Sequence, residues 1–286
     1  DRFLHSNLLV NEITRKVDDD FLKTLEEGAT SRVTREIKSR FLENRLNLVI
    51  FNLIFDQIPE QNLVRTLAQQ LYSSSHAIIF LPTIRTALLK ENGKFSEKKV
   101  QAYLEMVKNI VNEIEVVGNV KPFVGTIPLI PIKYSRPIID FYHSNGITSF
   151  AIDANTKDVL SNETDLRSIL SEINNRVPLS KAFIYACNLG YPRYEGLVTR
   201  ADDFLSIFAY IDVIGGTFKI RGLFPQFGRP RKKIFSREHY SYEITVSPTY
   251  TKILLDNFNQ SEQLKEAHKV RELIGEEKVK QYIQTK

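Results

Sequence analysis

The sequence predicts an α/β fold: a parallel β/α barrel of the TIM type, complete or partial, with helical extensions at its N- and C-terminal ends. Three observations carry this. Between residues 46 and 222, six apolar runs of strand length alternate with amphipathic segments of helix length. Most runs are continuously apolar, as strands covered on both faces of a parallel sheet must be. An unbroken β–α succession also favours parallel strands joined by right-handed crossovers. An open, doubly wound sheet satisfies the same pattern and stands as the alternative.

Residues 1–45 read as a helical N-terminal extension in which VDDDFLKTLEEG stops on Gly28, a residue suited to ending helices. The α/β domain is expected over 46–248. Its runs are LNLVIFNLIFDQI (46–58), HAIIFLPT (76–83), KPFVGTIPLI (121–130), ITSFAIDAN (147–155), KAFIYACNLG (181–190) and DVIGGTFKI (212–220). Helices are expected between them. QNLVRTLAQQL (61–71) sets Leu63, Val64, Leu67 and Leu71 on one face, and 97–114 does so with Val100, Tyr103, Val107, Ile110 and Ile114. SRPIIDFYHSNG (135–146) and ETDLRSILSEI (163–173) follow. TRADDFLSIFAYI (199–211) opens with Thr199 as N-cap and Asp202 three residues on. HYSYEITV (239–246) alternates well enough to add a strand to the same sheet. Residues 249–286 then form a helical segment packing through Leu254, Leu255, Phe258, Leu264, Val270, Leu273 and Ile274.

Composition narrows the class. With 286 residues, 42% hydrophobic and 26% charged, the chain is long enough to bury a sizeable core. The longest apolar run, LNLVIFNLIF, is interrupted by Asn47 and Asn52 and falls short of the ~20 residues a membrane-spanning helix needs. No membrane association is therefore expected. No secretory leader is recognisable, and residues are expected to precede Asp1, because the sole methionine is Met106. The single cysteine, Cys187, excludes an internal disulfide and fits a reducing, cytoplasmic setting. Within KAFIYACNLG it reads as a small buried hydrophobe. The five histidines lack metal-ligand spacing, so no zinc site is expected.

The net charge of +5 is concentrated. Residues 193–237 hold nine Lys/Arg against four acids, and outside that segment the two signs balance. The loop NLGYPRYEG contributes Tyr191 and Arg193, and the stretch 227–242 contributes Arg229, Arg231, Lys232, Lys233 and Arg237. Arginines that pair with phosphates beside tyrosines that stack on bases suit a polyanion, above all unpaired RNA or DNA.

In parallel α/β folds, ligands bind beyond the carboxyl ends of the strands. Polar residues at those ends are Asp56, Thr83, Arg85, Thr126, Asp153, Asn155, Asn188, Lys219 and Arg221. Asp56 and Asp153 are the candidate catalytic pair: two carboxylates can share nucleophilic and acid/base work at a glycosidic bond, or hold a divalent cation. Asn155, Asn188, Arg85, Lys219 and Arg221 are candidate substrate-binding residues. Gly215 and Gly216 in VIGGT join them, since paired glycines after a strand let backbone N–H groups approach a phosphate.

The leading expectation is an enzyme acting on a nucleotide-containing or RNA substrate, by base exchange or cleavage at an N-glycosidic bond. The alternatives are a non-catalytic nucleic-acid-binding or scaffold protein on the same fold, and a metabolic enzyme for a small phosphorylated compound.

Overall fold

Val10–Val17 form the first strand, β1, which lies parallel to β2 (Leu46–Leu53) in continuous register from Val10↔Leu46 to Val17↔Leu53. The computed structural model describes residues 10–55, 59–155, 163–179, 181–189, 198–201, 211–215, 232–245 and 252–275. A wholly helical extension over 1–45 is thereby corrected: its described part holds a sheet strand followed by α1 (Asp19–Glu26) and α2 (Thr30–Lys38). The strand escaped notice because one of its faces carries Glu12 and Thr14, and only Ile13 and Val17 on the other are buried apolar. Asp18 caps α1 by accepting the Phe21 N–H at 3.0 Å, and Gly28 follows the helix at φ 81°, a region that favours glycine.

After β2 come α3 (Gln61–Ser74), β3 (Ile79–Phe80), β4 (Thr83–Ile84), the short hairpin β5–β6 (Lys90–Glu91 and Lys94–Phe95) and α4 (Glu97–Val116). Then follow β7 (Phe123–Pro128), α5 (Ile132–Ser144), β8 (Ser149–Asp153), α6 (Glu163–Asn174) and β9 (Phe183–Cys187). The remaining described elements are β10 (Val198–Arg200), β11 (Val213–Ile214), β12 (Lys232–Ser236), β13 (Ser241–Thr245) and α7 (Lys252–Gly275).

Five strands form a curled parallel sheet in the order β11-β9-β8-β7-β3, half of a barrel, and β1-β2-β4 form a second parallel sheet. Residues 79–84 belong to both, because β3 pairs with β7 while β4 pairs with β2. The expected single strand HAIIFLPT is thus split. Pro82 has no N–H to give a ladder and restricts the residue before it, so the chain changes partner there. The fold is mixed α/β, with seven helices among the described residues.

Strand alternation sorts the interior into two layers. Ile13, Val49, Phe51, Leu53, Ile79, Ile127, Phe150, Ile152, Ile184 and Ala186 point to the helices and join one large core with them. Leu48, Ile50, Phe80, Val124, Ala151, Tyr185 and Cys187 point the other way and form a second cluster on the concave side. Helix and sheet meet closely at Gly125, where an added Cβ would lie 2.5 Å from the Tyr142 ring. Gly125→Ala is therefore expected to lower stability by about 1–3 kcal/mol. A urea unfolding midpoint equal to that of the wild type would refute this contact.

The C-terminal part differs from expectation. HYSYEITV does not extend the parallel sheet: β13 is the centre of an antiparallel sheet ordered β10-β13-β12. Thr199 is correspondingly no helix N-cap; it lies in β10 opposite Tyr242. The helix α7 packs on this sheet largely through polar groups. Asn259 accepts the Phe235 N–H and donates to Lys233 O, Gln263 donates to the Tyr242 hydroxyl, and the buried Glu266 accepts from the Tyr240 hydroxyl. Of its expected packing residues Leu255 and Val270 are buried, whereas Leu254, Phe258 and Leu264 are exposed. The side chains of Leu273 and Ile274 lie outside the described residues.

Candidate functional site

Asp153 is the last residue of β8, in register with Cys187 on β9 and Pro128 on β7. It is 1% exposed, since the apolar run that precedes it carries it into the sheet and its face is the concave one. Its Oδ1 accepts two hydrogen bonds, from the Asn155 N–H at 2.9 Å and from the Asn188 amide Nδ2 at 3.0 Å. Burial is the dominant influence and pushes the carboxyl from its ordinary 3.8 up to about 6, against the lowering effect of those two donors. A carboxylic acid so placed changes charge within reach of neutral pH.

The two asparagines are shaped for the task. Asn155 and Asn188 both occupy the left-handed region, at φ 48° and 51°, which asparagine tolerates better than other side-chain-bearing residues. Each turn follows directly on its strand and folds an amide or N–H back onto the carboxyl. Asn188 also donates to the Thr83 hydroxyl at 3.3 Å, so one amide joins the ends of the strand segments holding Asp153 and Thr83. Asn155 bonds Thr86 twice: its amide donates to the Thr86 hydroxyl, and its Oδ1 accepts the Thr86 N–H at 3.4 Å.

Hydroxyls complete the strand-end layer. Thr126 donates to Leu81 O at 2.5 Å, Thr83 to Phe51 O at 3.4 Å, Tyr103 to Pro82 O and Tyr142 to Thr126 O, each of the last two at 2.9 Å. These bonds satisfy carbonyls around the split strand. Burial raises the Tyr103 hydroxyl well above its ordinary range, and the Tyr142 hydroxyl likewise, so both remain neutral donors.

A second polar group lies on the same concave side. Glu12 of β1 accepts from the Tyr185 hydroxyl of β9, and its other oxygen accepts from Thr14 at 3.1 Å. Gly215, just after β11, leaves room for them: a Cβ there would lie 2.3 Å from Glu12 Oε2 and 2.4 Å from the Tyr185 hydroxyl. The backbone of Gly215 thus faces a carboxylate and a phenol. Cys187 is buried, as expected, and burial first, then the charges of Asp153 and Glu12, raise its thiol well above the ordinary range. A thiol held neutral is a poor nucleophile.

Of the residues singled out in the sequence, Asp153, Asn155, Asn188 and Thr83 are brought together by the hydrogen bonds above, while Thr126 bonds Leu81 O, two residues before Thr83. Arg85 is exposed. Asp56, Tyr191, Arg193, Gly216, Lys219, Arg221, Arg229 and Arg231 lie outside the described residues. The described part of the basic stretch is strand and turn: Lys232 and Lys233 belong to β12, and Lys233 lies over the Tyr242 ring at 5.0 Å. Arg237 pairs with Glu266 at 3.0 Å and with Glu262 at 3.6 Å, so its charge is largely engaged within the fold.

Thr86, Glu12 and Tyr185 are the site-layer residues that the sequence reading missed. Thr86 stood next to Arg85 in a strand-end turn and could have been included on that ground. Among the described residues no group of three or more His, Cys, Asp or Glu is arranged to hold a metal ion, and no helix is long and apolar enough to cross a membrane. No protein-family model matches the sequence, and comparison with curated proteins yields no match either.

Proposed function

We propose that the protein is a cytoplasmic enzyme built on a parallel β/α barrel, acting on a nucleotide-containing or RNA substrate at an N-glycosidic bond, with Asp153 as its general acid. The observation that supports this reading is the state of Asp153. Carboxyls that only tie off turns are exposed or held low by their donors, whereas this one lies at the carboxyl end of a parallel strand, where burial pushes it up to about 6. General acids work best when their pKa approaches the working pH, because the protonated form is then both populated and willing to donate. A departing nucleobase needs such a proton at its nitrogen. Asn188 and Asn155 hold the carboxyl for this purpose, and the basic 193–237 segment supplies docking for phosphates.

Two assays test the reading. Release or exchange of a base from a mixed-sequence single-stranded oligoribonucleotide, followed by mass spectrometry, is expected with the wild type and absent with Asp153→Asn. Equal turnover by both would exclude Asp153 from the chemistry. Binding to the same oligonucleotide should weaken as salt rises, because bound counterions are released. Reversing the charges of Arg231, Lys232 and Lys233 should reduce the log–log salt slope by about 2, at roughly 0.7 per phosphate contact. An unchanged slope removes the docking role of that segment. Salt-sensitive binding without any turnover would favour a non-catalytic nucleic-acid-binding protein.

A further inference from the structure

Cations gather on the rim beside the buried acid, in a part of the chain far from the basic 193–237 segment. Residues 85–99 hold Arg85, Lys90, Lys94, Lys98 and Lys99 against Glu91 and Glu97, and Lys133 joins them from α5. The topology sets all of these at one end of the sheet. The β5–β6 hairpin and the start of α4 follow the carboxyl end of β4, and the first turn of α5 follows the carboxyl end of β7.

Hydrogen bonds connect this rim to Asp153. The Asn155 N–H bonds the Asp153 carboxyl, and the Asn155 side chain bonds Thr86 through both its oxygen and its amide. Thr86 opens a single 3-10 turn (Thr86–Leu89) that runs directly into the hairpin at Lys90. On the other side the Tyr134 hydroxyl donates to Phe95 O at 3.0 Å and fastens the hairpin to α5.

We propose that this rim carries the sugar–phosphate backbone of a single-stranded substrate, with Arg85, Lys94 and Lys98 pairing with its phosphates while one base reaches Asp153. The ligand rests on the reading of Asp153 given above, and the proposal narrows it: the substrate is a polynucleotide strand, not a free nucleotide.

The rim divides into charges that are available and charges that are held. Arg85, Lys94 and Lys98 are exposed, and their side chains form no ion pair or hydrogen bond among the described residues. Lys94 stands opposite Glu91 in the hairpin register, yet the Glu91 carboxylate accepts from the Ser96 hydroxyl at 3.3 Å instead. Lys90 and Lys133 lie over aromatic rings, 4.8 Å from the centre of Phe95 and 4.4 Å from that of Tyr134, and the two rings meet at 5.5 Å. Lys99 donates to Lys90 O at 2.6 Å and ties the hairpin to α4. Asn92 and Gly93, at φ 51° and 77°, make the tight two-residue turn that such a hairpin needs. A frame fixed from three sides loses little freedom when a ligand settles on it. Glu91, Asn92, Lys94, Phe95 and Ser96 line an open depression on the hairpin, which gives a phosphate room beside Lys94.

The surroundings favour a nucleic acid over other polyanions. An anionic membrane would call for large apolar side chains that enter the lipid beside the cations. None of the exposed large apolar side chains among the described residues belongs to this rim; Val116 and Val117 lie at the opposite end of α4. An acidic protein would gain nothing from a buried proton donor, whereas a strand laid on the rim brings its bases to one.

Two measurements decide the matter. Fluorescence anisotropy with the single-stranded oligoribonucleotide is expected to show salt-sensitive binding by the wild type. Replacing both lysines, Lys94→Gln with Lys98→Gln, should lower the log–log salt slope by about 1.4, at roughly 0.7 per phosphate contact, and do so for every sequence. An unchanged slope overturns the proposal, as does binding to phosphatidylserine vesicles without binding to the oligonucleotide. The second measurement uses the sole cysteine, Cys187, which is buried. Glu91→Cys therefore adds a single reachable thiol, and a photoreactive group attached there should crosslink to the oligonucleotide. The same group at Val120→Cys, an 87% exposed position just before the amino end of β7, should not. Equal crosslinking from both positions overturns the proposal. Base release by the wild type together with an unchanged slope removes the rim and leaves Asp153 as the acid. A lowered slope without base release keeps the rim as a nucleic-acid surface and removes the catalytic reading.

Discussion

Asp153→Asn is expected to silence turnover by roughly 100- to 10,000-fold and, at the same time, to make the folded chain more stable above pH 6. The second half follows from linkage. The carboxyl is raised on folding from an ordinary 3.8 to about 6. Between these values the folded protein holds a proton that the unfolded chain has lost, so stability falls as pH rises. The benefit of the protonated acid is fully present below pH 4 and is lost as pH passes through 6. At about 1.4 kcal/mol per pKa unit, the loss above pH 7 is on the order of 3 kcal/mol. An asparagine in its place keeps a carbonyl to accept the Asn155 N–H and Asn188 Nδ2 bonds, and carries no charge to bury. Thermal melts from pH 4 to 8 should show this segment of the wild-type curve sloping downward and that of the variant flattened. A variant that melts below the wild type at pH 7.5 would contradict the buried carboxyl.

Phe80→Ala is expected to cost about 3–5 kcal/mol, a large part of the stability of an ordinary domain. Phe80 is fully buried in the inner cluster and meets the Tyr185 ring edge-on, at 5.2 Å between centroids and 76° between planes. Tyr185, the ring that faces the gap, is tied to Glu12 and so is restrained from collapsing into it. Denaturant titration should place the midpoint well below wild type, and Phe80→Leu, which keeps most of the volume, should cost ~1.5 kcal/mol or less. A loss under 1 kcal/mol for the alanine variant would mean that the inner cluster is not close-packed.

What could be read from the sequence follows from where each strand lies. The runs around Val49, Val124, Phe150 and Ile184 were legible because both faces of those strands are buried, which leaves continuous apolar stretches. β1 was not, because its concave face holds Glu12 and Thr14 and interrupts the pattern. HYSYEITV was recognised as strand but placed in the wrong sheet. Its alternation was itself the missed signal, since a strand wet on one face belongs to an antiparallel sheet more often than to a covered parallel one. The site divides in the same way. Asp153, Asn155 and Asn188 mark the ends of apolar runs, a local feature. The bond between Tyr185 and Glu12 spans 173 residues of chain, and that between Asn155 and Thr86 spans 69. Such meetings depend on which strands end up as neighbours, and no short window contains that information.

The change of partner at Leu81–Pro82 has a mechanical consequence. Elsewhere the wall of the molecule is stitched by rows of amide bonds that resist shear together. At this one suture the oxygens of Leu81 and Pro82 are held by the hydroxyls of Thr126 and Tyr103, two independent fasteners on rotatable side chains. The Leu81 N–H keeps its own bond to Val124 O at 3.0 Å, so the two side-chain fasteners can let go without tearing that row.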